Sequence, residues 1–99
     1  MRMMLKVTIP VEPGNEGIKN ELLPKTVMGF VEQAKPESCY FTAENGCRTG
    51  LFFFDMNDSQ DIPSLCEPFF MNLNASIVLS PAMNLEDMQA GVQKAVKNL

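Results

Sequence analysis

The chain has 99 residues, 45% of them hydrophobic and 20% charged, which fits one globular domain over residues 1–99. Twelve acidic residues outnumber eight basic ones, which excludes nucleic-acid and anionic-membrane partners, because binding to phosphates needs clustered lysine and arginine. The chain has no histidine, and its three cysteines lack CxxC spacing, so we expect no disulfide framework, no metal and no cofactor.

A first strand is predicted by alternating apolar residues, namely Met3, Leu5, Val7 and Ile9. Pro10 ends it, because proline cannot donate a hydrogen bond to the ladder of a sheet. Glu12 to Asn15 are then predicted to form a turn-rich connector, and Asn15 is predicted to cap a helix that carries Ile18 and Leu22.

The helical pattern continues through a second set of apolar residues, formed by Leu23, Val27, Phe30, Val31 and Ala34. Pro24 lies within this pattern, and proline removes a backbone donor and clashes with the preceding turn. Either the helix kinks at Pro24, or a short helix ends near Leu22 and a second one begins at Pro24. Pro36 prevents extension much beyond Ala34.

A hairpin is predicted over two extended runs, Cys39 to Ala43 and Arg48 to Phe54, joined by a turn at Asn45-Gly46. A type I′ turn needs positive φ at both central residues, which asparagine and glycine tolerate. This turn pairs Phe41 with Gly50 and Cys39 with Phe52. Cys39 and Cys47 then lie on opposite faces, which excludes a disulfide between them.

A further helix is predicted from Asp58 to Leu73, capped by Asp58 or Asp61, with Pro63 in its first turn and Pro68 as a kink or interruption. Its predicted inward residues are Ile62, Leu65, Cys66, Phe69, Phe70 and Leu73. Ala75 to Leu79 form a last strand, which Pro81 closes. Asn84 and Asp87 form a capping box for a final helix with an apolar stripe at Leu85, Met88, Val92, Val96 and Leu99.

The order of these elements predicts an α+β, ferredoxin-like βαββαβ fold with an extra C-terminal helix. We expect a four-stranded antiparallel sheet of strand order 4-1-3-2, with both main helices on one face. The third strand is apolar at every position from Leu51 to Phe54, and Ile77 to Leu79 are apolar on both faces. Because such a surface is a liability on a monomer, we predict a homodimer through the open sheet face. The alternative is that the C-terminal helix folds back over that face.

A candidate ligand-binding cluster lies in the hairpin region. Four polar residues share one face there with Leu51 and Phe53, and they are Tyr40, Thr42, Thr49 and Asp55. Arg48 is added as a further polar contact. The alternative is that these side chains form an edge or an interface, because no base or nucleophile pattern accompanies them. The three cysteines are predicted to pack in the core.

Five segments of the chain are distinctive, and they are Tyr40 to Gly46, Arg48-Thr49, Ile62-Pro63 through Glu67-Pro68, Leu73 to Ala75, and Ser80 to Met88. In these segments the chain resembles a small bacterial family that is classed as a domain of unknown function within the dimeric α/β-barrel superfamily. The resemblance implies a dimeric α/β barrel. The superfamily includes cofactor-independent monooxygenases, isomerases and haem-degrading enzymes, and the haem enzymes use a histidine that this chain lacks.

Two functions therefore remain open at this point. The first is a dimeric module, without catalysis, that binds a small apolar ligand or a protein partner. The second is a cofactor-independent monooxygenase or isomerase acting on an aromatic or polyketide-like compound, with polar contacts from Tyr40, Arg48 or Asp55. No targeting segment and no membrane span is recognised, so we expect a cytoplasmic protein.

Overall fold

The computed structural model describes every residue from Met1 to Leu99 and contains four strands and four helices. The elements are β1 (Arg2–Ile9), α1 (Val11–Lys19), α2 (Leu22–Ala34), β2 (Ser38–Glu44), β3 (Cys47–Asp55), α3 (Asp61–Leu73), β4 (Ser76–Pro81) and α4 (Leu85–Lys97). The strands form one open antiparallel sheet of order β2-β3-β1-β4, which confirms the predicted ferredoxin-like topology.

The core lies between the inner face of the sheet and helices α2 and α3. Leu5 and Val7 of β1, and Phe52 of β3, are almost fully buried there. The ring centroid of Phe30 on α2 lies 4.8 Å from the ring centroid of Phe52 and 5.5 Å from that of Phe69 on α3. This aromatic cluster holds the helix layer to the two central strands, because large rings contribute much of the buried apolar surface.

The hairpin between β2 and β3 has the predicted turn and register. Asn45 and Gly46 have φ values of 52° and 77°. Phe41 pairs with Gly50, and Cys39 pairs with Phe52. All three cysteines are free thiols.

The predicted connector over residues 12–15 is wrong, because Val11–Lys19 form helix α1. Asn15 lies inside that helix and does not cap it. The Pro13-Gly14 pair suggested a turn, but proline fits the first turn of a helix, where its missing N–H has no partner to lose.

Two separate helices are present, as in the second of the two alternatives for Pro24, but the first ends at Lys19 and the second begins at Leu22, two residues before the proline. Glu21 has a φ of 64°, and the Asn20 side-chain oxygen accepts a hydrogen bond of 2.9 Å from the Leu22 N–H. Pro24 therefore lies in the first turn of α2. The helix ends at Ala34, as expected from Pro36.

Helix α3 begins at Asp61, three residues later than predicted, and it continues through Pro68 without interruption. The Asp58 carboxylate instead accepts a hydrogen bond of 2.8 Å from the Gln60 N–H in the preceding turn. Leu65, Cys66, Phe69 and Leu73 are buried as expected. The inward position of Phe70 is wrong, since this residue lies at the border of the buried stripe and stays exposed.

Helix α4 has the predicted capping box, in which the Asp87 N–H donates to the Asn84 side chain at 2.8 Å. It does not fold back over the sheet, since none of its residues is buried and the molecule is 54 Å long but only 18 Å thick. An ion pair of 3.2 Å between Asp87 and Arg2 ties the start of α4 to β1. The outer face of the sheet therefore stays open in this chain. No helix here combines the length and apolar composition that a bilayer-spanning segment needs.

Alanine substitutions of Gly46, in the hairpin turn, and of Gly29, in helix α2, should change the free energy of unfolding in opposite directions. Gly46 and Gly29 both have open space around the position of a Cβ atom, but only Gly46 has positive φ. Gly46→Ala should lower the free energy of unfolding by about 1 kcal/mol, because a left-handed backbone conformation penalises a Cβ. Gly29→Ala, inside α2, should raise it by about 0.5–1 kcal/mol through helix propensity. Urea unfolding would measure both, and equal effects would contradict the turn geometry.

Candidate ligand cavity

An apolar cavity of about 410 Å³ lies between the inner face of the sheet and helix α2, at the end nearest the β2–β3 hairpin. Its lining residues come from five elements and are Val7, Ile9, Leu23, Pro24, Val27, Met28, Phe41, Thr42, Arg48, Thr49, Gly50, Phe52 and Phe69. The volume falls within the range of roughly 300–1,000 Å³ that small-molecule sites occupy.

The cavity exists because the helix layer does not extend over strand β2. Phe41 alternates along β2 with residues of the outer face, so it points to the helix side, yet it is 62% exposed. Opposite Phe41, Gly50 has no side chain to fill the space. A Cβ at Gly50 would lie 3.0 Å from the ring of Phe52 and 3.4 Å from that of Phe41. Glycine at this position therefore lets both rings approach the strand.

Helix α2 supplies the opposite wall of the cavity. Helix α2 begins at Leu22 after the turn at Asn20-Glu21, and its first turns place Leu23, Val27 and Met28 in the cavity wall. Met28 is exposed at the rim. Methionine is unbranched and flexible, so a rim methionine can adapt to ligands of different shape.

Arg48 is the only charged residue that lines the cavity. Its cross-strand partner on β1 is the buried Ile9, so the side chain leaves β3 on the helix side and lies at the exposed mouth. The guanidinium donates hydrogen bonds to the Asn15 side-chain oxygen at 3.2 Å and to the Val11 carbonyl at 3.5 Å. No carboxylate lies within 4.0 Å of it.

Gly14 on helix α1 makes room for this guanidinium. A Cβ at Gly14 would lie 2.6 Å from Nη1 of Arg48 and 3.2 Å from the Ile9 side chain. The 2.6 Å contact is shorter than non-bonded atoms tolerate. Any larger residue at position 14 would therefore displace the guanidinium of Arg48.

The structure divides the predicted site residues between two faces of the sheet. Arg48 lines the inner cavity, whereas Thr42 and Thr49 border it from strand positions that alternate onto the outer face. Tyr40 and Phe53 alternate onto the outer face, as Asp55 also does, and Asp55 accepts a hydrogen bond of 2.7 Å from the N-terminal ammonium group. The sheet therefore separates Arg48 from Tyr40 and Asp55, and these three side chains do not converge on one ligand.

The outer face has an apolar centre and charged edges. Leu51 and Phe53 are half-buried there, and Met4 is the cross-strand partner of Phe53. An ion pair between Lys6 and Glu44 crosses the face at the hairpin end. Thr49 is only 3% exposed, and its hydroxyl donates to the Cys47 carbonyl at 3.1 Å. This surface consists mostly of side-chain packing and ion pairing.

No proton-transfer group lines the cavity. Its polar residues are Thr42, Arg48 and Thr49, and an arginine stays protonated throughout the physiological pH range. Nowhere do three His, Cys, Asp or Glu side chains come together so as to hold a metal ion. The arrangement can enclose the apolar part of a molecule and donate hydrogen bonds from Arg48 to a polar group that the molecule carries.

Sequence reasoning included Arg48 but missed the apolar walls and Gly14. The pairing of Phe41 with Gly50, which follows from the hairpin register, was an available signal for space beside β3. Gly14 had no comparable signal, since its role depends on the approach of Arg48 from a strand 34 residues later in the chain.

Comparisons with known proteins add no family assignment. No protein-family model matches the chain, and no curated protein matches it.

The burial of Cys66 predicts unequal thiol reactivity. Desolvation, with a smaller contribution from the charge of Glu67, raises the pKa of Cys66, which keeps this thiol protonated near neutral pH. Cys39 and Cys47 are only half-buried. We expect a disulfide reagent such as Ellman's reagent to modify Cys66 last, and at a rate that rises sharply in urea. Double variants that retain one cysteine each would assign the rates, and fast modification of Cys66 in the native protein would contradict its burial.

Proposed function

We propose that this protein is a homodimeric binding module that holds a small apolar ligand in the cavity between the sheet and helix α2. The observation that supports this most directly is the apolar cavity of about 410 Å³, which is lined by aromatic and aliphatic side chains from five elements. Small-molecule sites are typically concave, largely apolar and furnished with few polar groups. This cavity has all three properties.

Binding is favoured over catalysis by the residues that are absent from the cavity wall. A general base or nucleophile must reach the reacting atom, and no carboxylate, thiol or phenol lines the cavity. The monooxygenase or isomerase alternative drew on Tyr40, Arg48 and Asp55, and the sheet lies between Arg48 and the other two. No observation in the structure specifically favours that alternative.

The homodimer is proposed through the open outer face of the sheet. Leu51 and Phe53 on the central strand β3, Met4 on β1 and the exposed Val78 on β4 provide the apolar centre of this surface. Because α4 does not cover it, a second copy is the simplest way to remove these side chains from water.

We also propose that the chain belongs to the dimeric α/β-barrel superfamily, which its ferredoxin-like topology supports. A cytoplasmic location is proposed as well.

Ligand binding is tested with a neutral fluorophore and a variant that blocks the cavity mouth. N-phenyl-1-naphthylamine should bind saturably, with one molecule per chain, and its fluorescence should rise. Met28→Trp enlarges the side chain at the rim and should weaken binding by about tenfold or more, which corresponds to ~1.4 kcal/mol. Met71→Trp is the matched control, because Met71 is an exposed helical methionine that does not line the cavity. Unsaturable binding, or equal affinities in the two variants, would contradict the proposed site.

The dimer is tested with a charge on the outer face. Leu51→Lys should shift the protein to monomers in sedimentation velocity experiments at micromolar concentration, because an unpaired ammonium is costly to bury. Ile18→Lys makes the same chemical change at an exposed position of α1 and should leave the dimer intact. A wild-type protein that sediments as a monomer would refute the proposed interface.

A further inference from the structure

Arg48 is a cation without a counter-ion at the mouth of an apolar cavity. A guanidinium has five N–H donors, and the observed partners are two neutral oxygen atoms, those of Asn15 and Val11. The ion-paired cations of the chain are the N-terminal ammonium group, Arg2, Lys6 and Lys19, and none of them lines the cavity, whereas Arg48 lines it without a carboxylate within 4.0 Å. The remaining donors of Arg48 are therefore available to an acceptor that enters with the ligand.

The position of the guanidinium is set by several groups. Gly14 leaves space for it against α1, the Asn15 side-chain oxygen accepts from one amino group, and the Val11 carbonyl accepts from the other. A guanidinium that is held in place loses little freedom on binding an anion, and its planar fork matches the two oxygen atoms of a carboxylate.

We propose that the ligand of this cavity is a small monocarboxylic acid, whose apolar body lies among Phe41, Phe52 and Val27 while its carboxylate pairs with Arg48. This inference rests on the proposed ligand-binding function and adds the chemical class of the ligand. A water molecule takes ~30 Å³ in the liquid, so the 410 Å³ cavity holds roughly 14 separate water-sized groups, and it holds more covalently bonded atoms because these lie closer together. The size limits the class to compact aromatic acids and medium-chain fatty acids.

Local chemistry, not the overall field, must supply this preference. The chain carries a net charge of −4, so its long-range field repels anions. No acidic residue lines the cavity, so no negative charge in its wall offsets the attraction of Arg48 for an anion. The affinity difference between an acid and its neutral analogue consequently reports the contribution of Arg48.

The test compares 2-naphthoate with 2-naphthamide, which share one apolar body and differ in charge. By calorimetry at neutral pH the wild-type protein should bind the acid at least about tenfold more tightly, since hydrogen bonds to a charged group are stronger than those between neutral groups. Arg48→Gln should bring the two affinities within about twofold of each other. Lys19→Gln removes the same charge from an exposed site on α1 outside the cavity and should keep the preference.

Gly14→Ala is a second variant that leaves Arg48 in the sequence but displaces its guanidinium. The side chain that must move is flexible and exposed, and alanine favours a helix over glycine, so the protein should fold. The acid preference should fall as it does in Arg48→Gln. Retention of the wild-type preference in both variants would overturn the role of Arg48.

The outcomes separate this inference from the proposed function. Equal binding of acid and amide by the wild-type protein would refute the carboxylate specificity while leaving the cavity as a binding site. Failure of both compounds and of N-phenyl-1-naphthylamine to bind would refute the binding function itself. Binding of N-phenyl-1-naphthylamine by Arg48→Gln would show that this variant is folded with its cavity intact, so that a loss of acid preference in it could be assigned to the missing guanidinium.

Discussion

The turn at Asn45-Gly46 is the constraint on which the core and the cavity both depend. Because both residues adopt positive φ, the turn sets a single register between β2 and β3. A shift by one residue would move every side chain of a strand to the other face. Phe52 and Phe54 would then leave the core, and Arg48 would leave the cavity mouth. A local backbone preference thus decides which face carries the aromatic cluster and which carries the polar hairpin residues.

The limited width of the helix layer explains both the cavity and the open face. Helices α2 and α3 cover the central strands β1 and β3, where the buried rings of Phe30, Phe52 and Phe69 hold the layers together. They do not extend over β2, and the space left beneath Phe41 becomes the cavity. Helix α4 extends away from the body, so no element of the chain covers the outer face. The proposed ligand and the proposed second subunit each bury one of these two uncovered surfaces.

The distribution of charge gives the cavity its proposed selectivity. Arg2 and Lys6 have carboxylate partners at the outer face or its edge, where their charges contribute little beyond local order. Arg48 has only neutral partners, and they hold it beside an apolar volume. A cation placed in this way contributes little to folding, but it provides a directed contact for a ligand of opposite charge.

Local sequence signals were sufficient for the hairpin, the capping box of α4 and the ferredoxin-like order of elements, because each depends on residues that are close in the chain. They were insufficient for α1, where Pro13-Gly14 suits a turn and a helix start equally well. The position of the cavity required the tertiary structure, since it depends on how far the helices extend over a sheet built from distant segments. The separation of Arg48 from Tyr40 and Asp55 follows from strand alternation alone, yet the sequence could not show which face holds a concave site. Only the packing of α2 against β3 decided that, because a cavity is the space that packed side chains leave unfilled.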